Sequence, residues 1–270
     1  DMAVHCGVLM RFIHLTESHD ILLLNYLIIA MATTMRAERW RKRFVESGLV
    51  QALVKLVHRY DASSEPGQLP GAGLIRIGIG GMMRDLSAAE LFKTTMVHLG
   101  ALPALNILAH APEDKAQAAA AATVAFLAFS DEFKDLAREA GLIASIAHLM
   151  RKRSLQVQLE SAEAVRVLAS NHKNKMALVD AGAHDGLRDM LDHQSSEARV
   201  RATSALCLLA TNQDNSAALS KSGAVRPLVK LLDSISEPNV LAGAASVLAN
   251  VTSSKILDTR AELAACGAIP

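Results

Sequence analysis

Residues 180–191 read DAGAHDGLRDML, and residues 222–232 read SGAVRPLVKLL. Each places a small residue before a glycine and apolar side chains five and eight positions after it. These are Leu187 and Met190 after Gly182, and Leu228 and Leu231 after Gly223. A step of three between apolar positions is the spacing of one helix face. Extending this register along the chain gives anchors at Gly7, Gly48, Gly100, Gly141, Gly182, Gly223 and Gly267, separated by 41, 52, 41, 41, 41 and 44 residues. A fixed period of this length marks a repeat array in which every unit is one supersecondary element. The long interval contains residues 61–73, rich in Ser, Pro and Gly, which read as an inserted loop or spacer.

The register holds away from the glycines. Five residues after the anchors stand Phe12, Leu53, Leu105, Ile146, Leu187 and Leu228, and eight after stand Leu15, Leu56, Leu108, Leu149, Met190 and Leu231. Fourteen residues before four anchors stand Leu86, Leu127, Leu168 and Leu209, with Val251 in that role in the last unit. Each unit therefore reads as three helices: a short one before the glycine (residues 174–181), a second after it (182–192), and a longer third beyond a polar turn (197–210). The glycine at the corner either supplies a positive φ or lets two backbones approach closely.

These stretches, together with ASVLANVT at residues 245–252 and CGAIP at 266–270, resemble the armadillo repeat. The resemblance extends over nearly the whole chain and is strongest from about Gly100 onward. It implies an all-α, right-handed superhelical solenoid whose third helices line a concave groove. The units run as a partial repeat at 1–35, complete repeats at about 36–87, 88–130, 131–170, 171–211 and 212–252, and a partial repeat at 253–270, a segment of a longer array. Neighbouring units of such an array bury one another's apolar stripes. Ends at residues 21–29 and 251–265 should then expose apolar surface and fray or self-associate.

The charge balance, 28 Lys and Arg against 27 Asp and Glu, argues against a general phosphate-backbone binder, so no specific nucleic-acid partner is expected. Aromatic residues are too few for base stacking along a strand. Three separated cysteines, Cys6, Cys207 and Cys266, fit neither a disulfide framework nor a metal cluster, which points to a reducing, cytoplasmic compartment, with nuclear residence also compatible. The longest apolar stretch, residues 21–31, is too short to span a bilayer, so no transmembrane segment is expected. The run IGIGG with Gly78, Gly80 and Gly81 lacks the Lys-Ser/Thr of a phosphate loop and reads as close helix packing. His14, Glu17 and His19 would splay around a helix rather than converge on a metal. No catalytic residue, cofactor or metal site is expected. His184 takes the place of Leu9, Val50, Leu102, Ile143 and Val225 in other units and reads as a half-buried imidazole satisfied by a backbone carbonyl.

In armadillo proteins of the nuclear-import adaptor type, each third helix presents a Trp and, four residues later, an Asn that grips an extended peptide. The resemblance carries that pair onto Ser246/Asn250, Ser204/Leu208, Glu163/Val167, Ala122/Phe126, Gly81/Asp85 and Tyr26/Ala30. Only Asn250 matches, so capture of a basic localisation signal loses its ring slots. The groove candidates are Phe126, Glu163, Arg166, Val167, Arg201, Ser204, Leu208, Ser246 and Asn250, with residues 118–122 and Arg199 beside them. Each has a competing role in packing between repeats. This mostly small or apolar lining suits an amphipathic or extended apolar protein segment. A second candidate surface is RAERWRKR at residues 36–43, where Arg36, Arg39, Arg41, Lys42 and Arg43 flank Trp40. It reads as an outward charged helix face with the ring partly inward, open to an acidic partner, anionic lipid or phosphate. The function expected is a non-catalytic protein-interaction scaffold. The alternatives are a regulatory segment of a larger enzyme and a nuclear-import-type adaptor.

Overall fold

The computed structural model describes residues 2–128, 130–233 and 237–253. Among them the chain is all helix and forms two compact units, Asp1–Leu127 and Ala128–Pro270.

The first unit contains α1 (Met2–Leu15), α2 (Ile21–Thr34), α3 (Glu38–Glu46), α4 (Leu49–Arg59), α5 (Glu65–Gln68), α6 (Ala72–Ser87), α7 (Glu90–His98), α8 (Ala101–Ala109) and α9 (Asp114–Leu127). The second contains α10 (Asp131–Glu139), α11 (Leu142–Leu149), α12 (Leu155–Leu168), α13 (His172–Asp180), α14 (Ala183–Leu191), α15 (Ser196–Ala210), α16 (Gln213–Lys221), α17 (Val225–Asp233) and α18 (Pro238–Ser253). Short, short and long helices alternate as the spacing predicts. The long third helices pack on one another, α2 on α6 and α6 on α9 in the first unit, α12 on α15 and α15 on α18 in the second.

Polar residues fix where the short first helices begin. Ser130, Asn171 and Asn212, spaced by one period, accept backbone N–H bonds from Phe133, from Lys173 and Asn174, and from Asp214 and Asn215. The glycine corner ends them. Gly141 has φ 77° and Gly223 has φ 80°, yet a Cβ at either would meet nothing within 4 Å. Positive φ, not close approach, is what these corners require. Close approach instead explains part of the IGIGG run. A Cβ on Gly78 would fall 2.2 Å from Ile28 of α2, and one on Gly80 would fall 3.1 Å from Ala119 of α9, whereas Gly81 faces open space.

The core is the ladder read from the sequence. Leu53, Leu56, Leu105, Leu108, Ile146, Leu149, Leu187, Met190, Leu228 and Leu231 are buried, as are Leu86, Leu127, Leu168, Leu209 and Val251. Each large aliphatic side chain buried this way contributes about 2 kcal/mol. The ladder fails at its N-terminal end, where Phe12 is half-buried and Leu15 exposed. There α1 runs through Gly7 without a corner, because the few residues before it continue as the helix's first turn. The Gly267 anchor, Cys266 and the partial repeat after Ser253 lie outside the described residues.

A second register, not read from the sequence, recurs in the first helices. Eight residues before the corner glycines stand Trp40, Phe92, Phe133, Asn174 and Asn215. Phe92 and Phe133 are buried. The two asparagines, also buried, donate to the Lys134 and Lys175 carbonyls of the preceding repeat, at 2.9 and 3.0 Å. Arginines brace the corners as well. Arg151 donates to the Ala181 carbonyl and Arg188 to the Ser222 carbonyl, so Arg151 is an inter-repeat tie and not merely a solvated charge.

The insertion is folded rather than a loose spacer. Ser64 caps α5 and donates back toward Arg59 and Asp61, and a Cβ on Gly67 would collide with the Asp61 carbonyl. The buried Arg76 guanidinium donates to the carbonyls of Tyr60 (2.9 Å) and Gly67 (2.8 Å), and through its other edge to both carboxylate oxygens of Glu113.

Candidate functional site

In the second unit the third helices bring most of the groove candidates onto one surface. Ser204 and Leu208 of α15 are half-buried, Ser246 of α18 is exposed, and Asn250 lies between them, half-buried. The Asn250 amide spans to α15, where Nδ2 approaches the Cys207 carbonyl at 3.5 Å, the long limit of a hydrogen bond. Cys207 is therefore part of this surface, one residue from Leu208 and three from Ser204. Burial pushes its thiol pKa up, so it presents a neutral, weakly polar atom. That helical spacing was the signal by which the sequence could have placed it.

The charged candidates are present but engaged. Arg166 grips Glu163 through two bonds, at 2.9 and 2.5 Å, and this pairing raises its pKa against the opposing cost of burial. Arg201 donates to the Leu159 carbonyl of α12 at 3.0 Å and to Glu197 at 2.8 Å, with Glu160 at 3.9 Å. It ties α15 to α12 and neutralises the acids on that face. Arg199 is spent on the N-terminal turn of α15, donating to the His193 and Gln194 carbonyls, and adds nothing to the groove. Val167 is buried, and so are all five alanines at residues 118–122. These six side chains pack between helices, because the third helices approach too closely for them to reach solvent. Phe126 belongs to the first unit, where it is 36% exposed near the end of α9.

α3 carries four of the five basic residues singled out, with Arg36 in the turn before it. Arg36, Arg39 and Lys42 are exposed, while Arg41 and Arg43 are half-buried. Trp40 is half-buried, with the guanidinium carbons of Arg39 and Arg43 at 5.7 and 5.3 Å from its ring centroid. Phe44 is buried against Phe12 of α1. A nearby cavity of about 190 Å³ between α1 and α4 carries Lys55, Arg59 and Glu17. Arg59 there is a brace, donating to the Thr16 and Ser18 carbonyls.

His184 is less satisfied than expected. Its side chain is 13% exposed, and Nδ1 is buried without a hydrogen bond of ordinary geometry. Burial pushes its pKa down. Asp185 opposes that shift, Arg188 adds to it, the Val179 carbonyl weakly opposes, and Arg151 adds a little more. His14 lies 3.5 Å from Glu17 in the open. Among the described residues no three His, Cys, Asp or Glu side chains group as metal ligands. No single described helix is long and apolar enough to cross a membrane. The apolar surface expected at residues 21–29 is present: Leu22, Tyr26 and Ile29 of α2 are more than half exposed.

Residues 212–253 match the family model for the armadillo/beta-catenin-like repeat. Solved structures share the fold over most of the chain. A designed armadillo repeat protein in complex with the peptide (KR)4 aligns at TM-score 0.74 and 22% identity, covering 90% of this chain and 99% of that one. A computationally designed armadillo repeat protein for modular peptide recognition aligns at TM-score 0.77 and 22% identity, over 90% and 99%. An engineered protein aligns at TM-score 0.81 and 25% identity, covering 98% of this chain and 62% of that one. No curated protein matches the chain. With the periodic glycine corners and stacked third helices, these matches show an armadillo-repeat fold, with residues 212–253 carrying the family's repeat.

Proposed function

We propose that the protein is a non-catalytic scaffold that holds a segment of a partner protein along its third helices, with α12, α15 and α18 forming the principal surface. The observation that carries this is the state of the groove side chains. Ser246 is exposed at its centre with Leu208 half-buried beside it, and Asn250 makes two long amide contacts, to the Cys207 carbonyl at 3.5 Å and to the Cys207 sulfur at 4.0 Å. Its amide is thus available to a peptide backbone, which offers matching donors and acceptors at every residue. Around this centre the charges are already paired within the protein, Arg166 with Glu163 and Arg201 with Glu197. A highly charged peptide would have to break those pairs. A segment with apolar anchors and exposed backbone amides would not.

The designed relative that holds (KR)4 keeps a basic peptide as the second reading, and the Trp positions Ser204 and Ser246 disfavour it because they offer no ring to a lysine stem. Residence in the cytoplasm or nucleus belongs to the same proposal and rests on the cysteine usage. So does self-association through the exposed stripe of α2.

Display selection of peptides on the intact chain, with (KR)4 as competitor, tests the proposal. Selected peptides should be weakened about tenfold or more by Leu208→Glu combined with Ser246→Glu, with an unchanged melting temperature and little competition from (KR)4. Peptides indifferent to both substitutions would place binding elsewhere, and full competition by (KR)4 would favour the basic-peptide reading.

A further inference from the structure

We propose that α3 is a second, independent docking helix, and that its occupant is an acidic protein segment carrying at least two carboxylates. Arg36, Arg39, Arg41, Lys42 and Arg43 fall within eight residues that contain one acid, Glu38, with Glu46 three residues beyond. Lys42 reaches Glu46 at 4.0 Å. Among the described residues no carboxylate lies within ion-pair distance of Arg36, Arg39, Arg41 or Arg43, and the Nε of Arg41 is buried without a partner. Elsewhere arginines are spent on neighbours, as Arg76, Arg166, Arg188 and Arg201 are. A chain whose net charge is +1 thus keeps a local, uncompensated positive face.

The geometry favours carboxylates on a protein segment. Arg39 and Arg43, one helical turn apart, both rest on the Trp40 ring. Stacking holds their planar forks ready, so less side-chain freedom is lost when a carboxylate is gripped by two parallel bonds. A lipid surface would want apolar side chains exposed beside the cations. On α3 the ring is covered by guanidinium groups, Phe44 is buried and Val45 is half-buried. A nucleic-acid backbone would want a basic field longer than one nine-residue helix. The register adds a further point. Trp40 stands where Phe92 and Phe133 are buried and where Asn174 and Asn215 bond to the preceding repeat. At this position the ring instead carries the Arg39 and Arg43 guanidinium groups, at 5.7 and 5.3 Å from its centroid.

Trp40 is the chain's one tryptophan, so its emission reports this helix alone. The intact chain would be titrated with octaglutamate at low salt, and in parallel with octalysine, inorganic phosphate and phosphatidylserine vesicles. The proposal expects a saturable emission change with octaglutamate only, lost in about 0.5 M salt, where screening acts within a few ångströms. Arg39→Gln with Arg43→Gln should weaken it about tenfold, and Arg36→Gln with Lys42→Gln, both on exposed side chains, should weaken it severalfold without touching the ring. Circular dichroism melts decide which variant is read if one fails to fold. No saturable response to octaglutamate, equal affinity in a folded variant, or a response confined to vesicles or phosphate would each overturn the proposal.

Discussion

Two glycines of this chain carry opposite requirements. Gly141 sits at φ 77° with open space around it, so Gly141→Ala should cost only the strain of a left-handed alanine, about 1 kcal/mol. Gly186, inside α14, faces Met150 so closely that a Cβ would fall 2.7 Å from its carbonyl oxygen. That neighbour is backbone and cannot step aside, so Gly186→Ala should cost about 2–3 kcal/mol. Chemical denaturation of the two variants checks the order, and the reverse order would mean that the corners, not the inter-helix contacts, limit stability. The period made Gly141 visible in the sequence. Nothing marked Gly186, because its requirement comes from a neighbour one repeat away.

His184 makes a pH-dependent prediction at the same scale. Its folded pKa is depressed, so the unfolded chain binds a proton more readily than the folded one as pH drops. The stability tied to the neutral ring is complete above the ordinary histidine value of about 6.5 and is lost as pH falls below it toward the lower folded value. His184→Val, the residue type at Val50 and Val225, also removes a buried Nδ1 that makes no hydrogen bond of ordinary geometry, and should stabilise by about 1 kcal/mol at neutral pH. The melting-temperature gain over the parent should widen between pH 7.5 and 5.5. A constant gain would show that the ring does not titrate differently on folding.

Among the elements, the insertion around α5 is where local sequence misleads. Ser, Pro and Gly announce a break in the period, and a loose spacer is the natural expectation. Its order comes from Arg76, sixteen residues beyond Tyr60, and from Glu113 on the next turn. Such a partner set cannot be read from composition. Glu113→Gln removes the counter-charge of a buried guanidinium and should cost about 2–3 kcal/mol. The Arg76 bonds hold the Glu113 carboxyl below the usual carboxylate range, with burial opposing and the charge attraction of Arg76 adding. That stability is present above about pH 4.3 and disappears as pH falls through the lower folded value. Urea melts between pH 6 and 3 should show a steeper acid loss in the parent than in Glu113→Gln. Arg76→Met should in addition open residues 61–71 to proteolysis, and resistance there would mean that the segment is held by other contacts.

For the whole molecule, the glycine period and apolar stripes gave away the helix triplets because a repeat states the same physics several times. Charge pairing was not legible. Arg166, Arg199 and Arg201 read as groove contacts, yet two are locked to carboxylates and one to backbone carbonyls. The alanines at 118–122 and Val167 read as lining and are buried between helices, since sequence spacing places a residue on a face without saying how closely the next helix approaches. The open face of α2 carries Leu22, Tyr26 and Ile29 along one stripe; the proposed self-association predicts a concentration-dependent rise in sedimentation of the parent chain that Leu22→Glu with Tyr26→Glu should suppress. The central claim, a partner segment held along the third helices, is tested most directly by hydrogen exchange of the chain with and without a selected peptide. The account predicts added protection on α15 and α18 near Leu208 and Asn250, with α10, α13 and α16 unchanged. Protection confined to those first helices would contradict it.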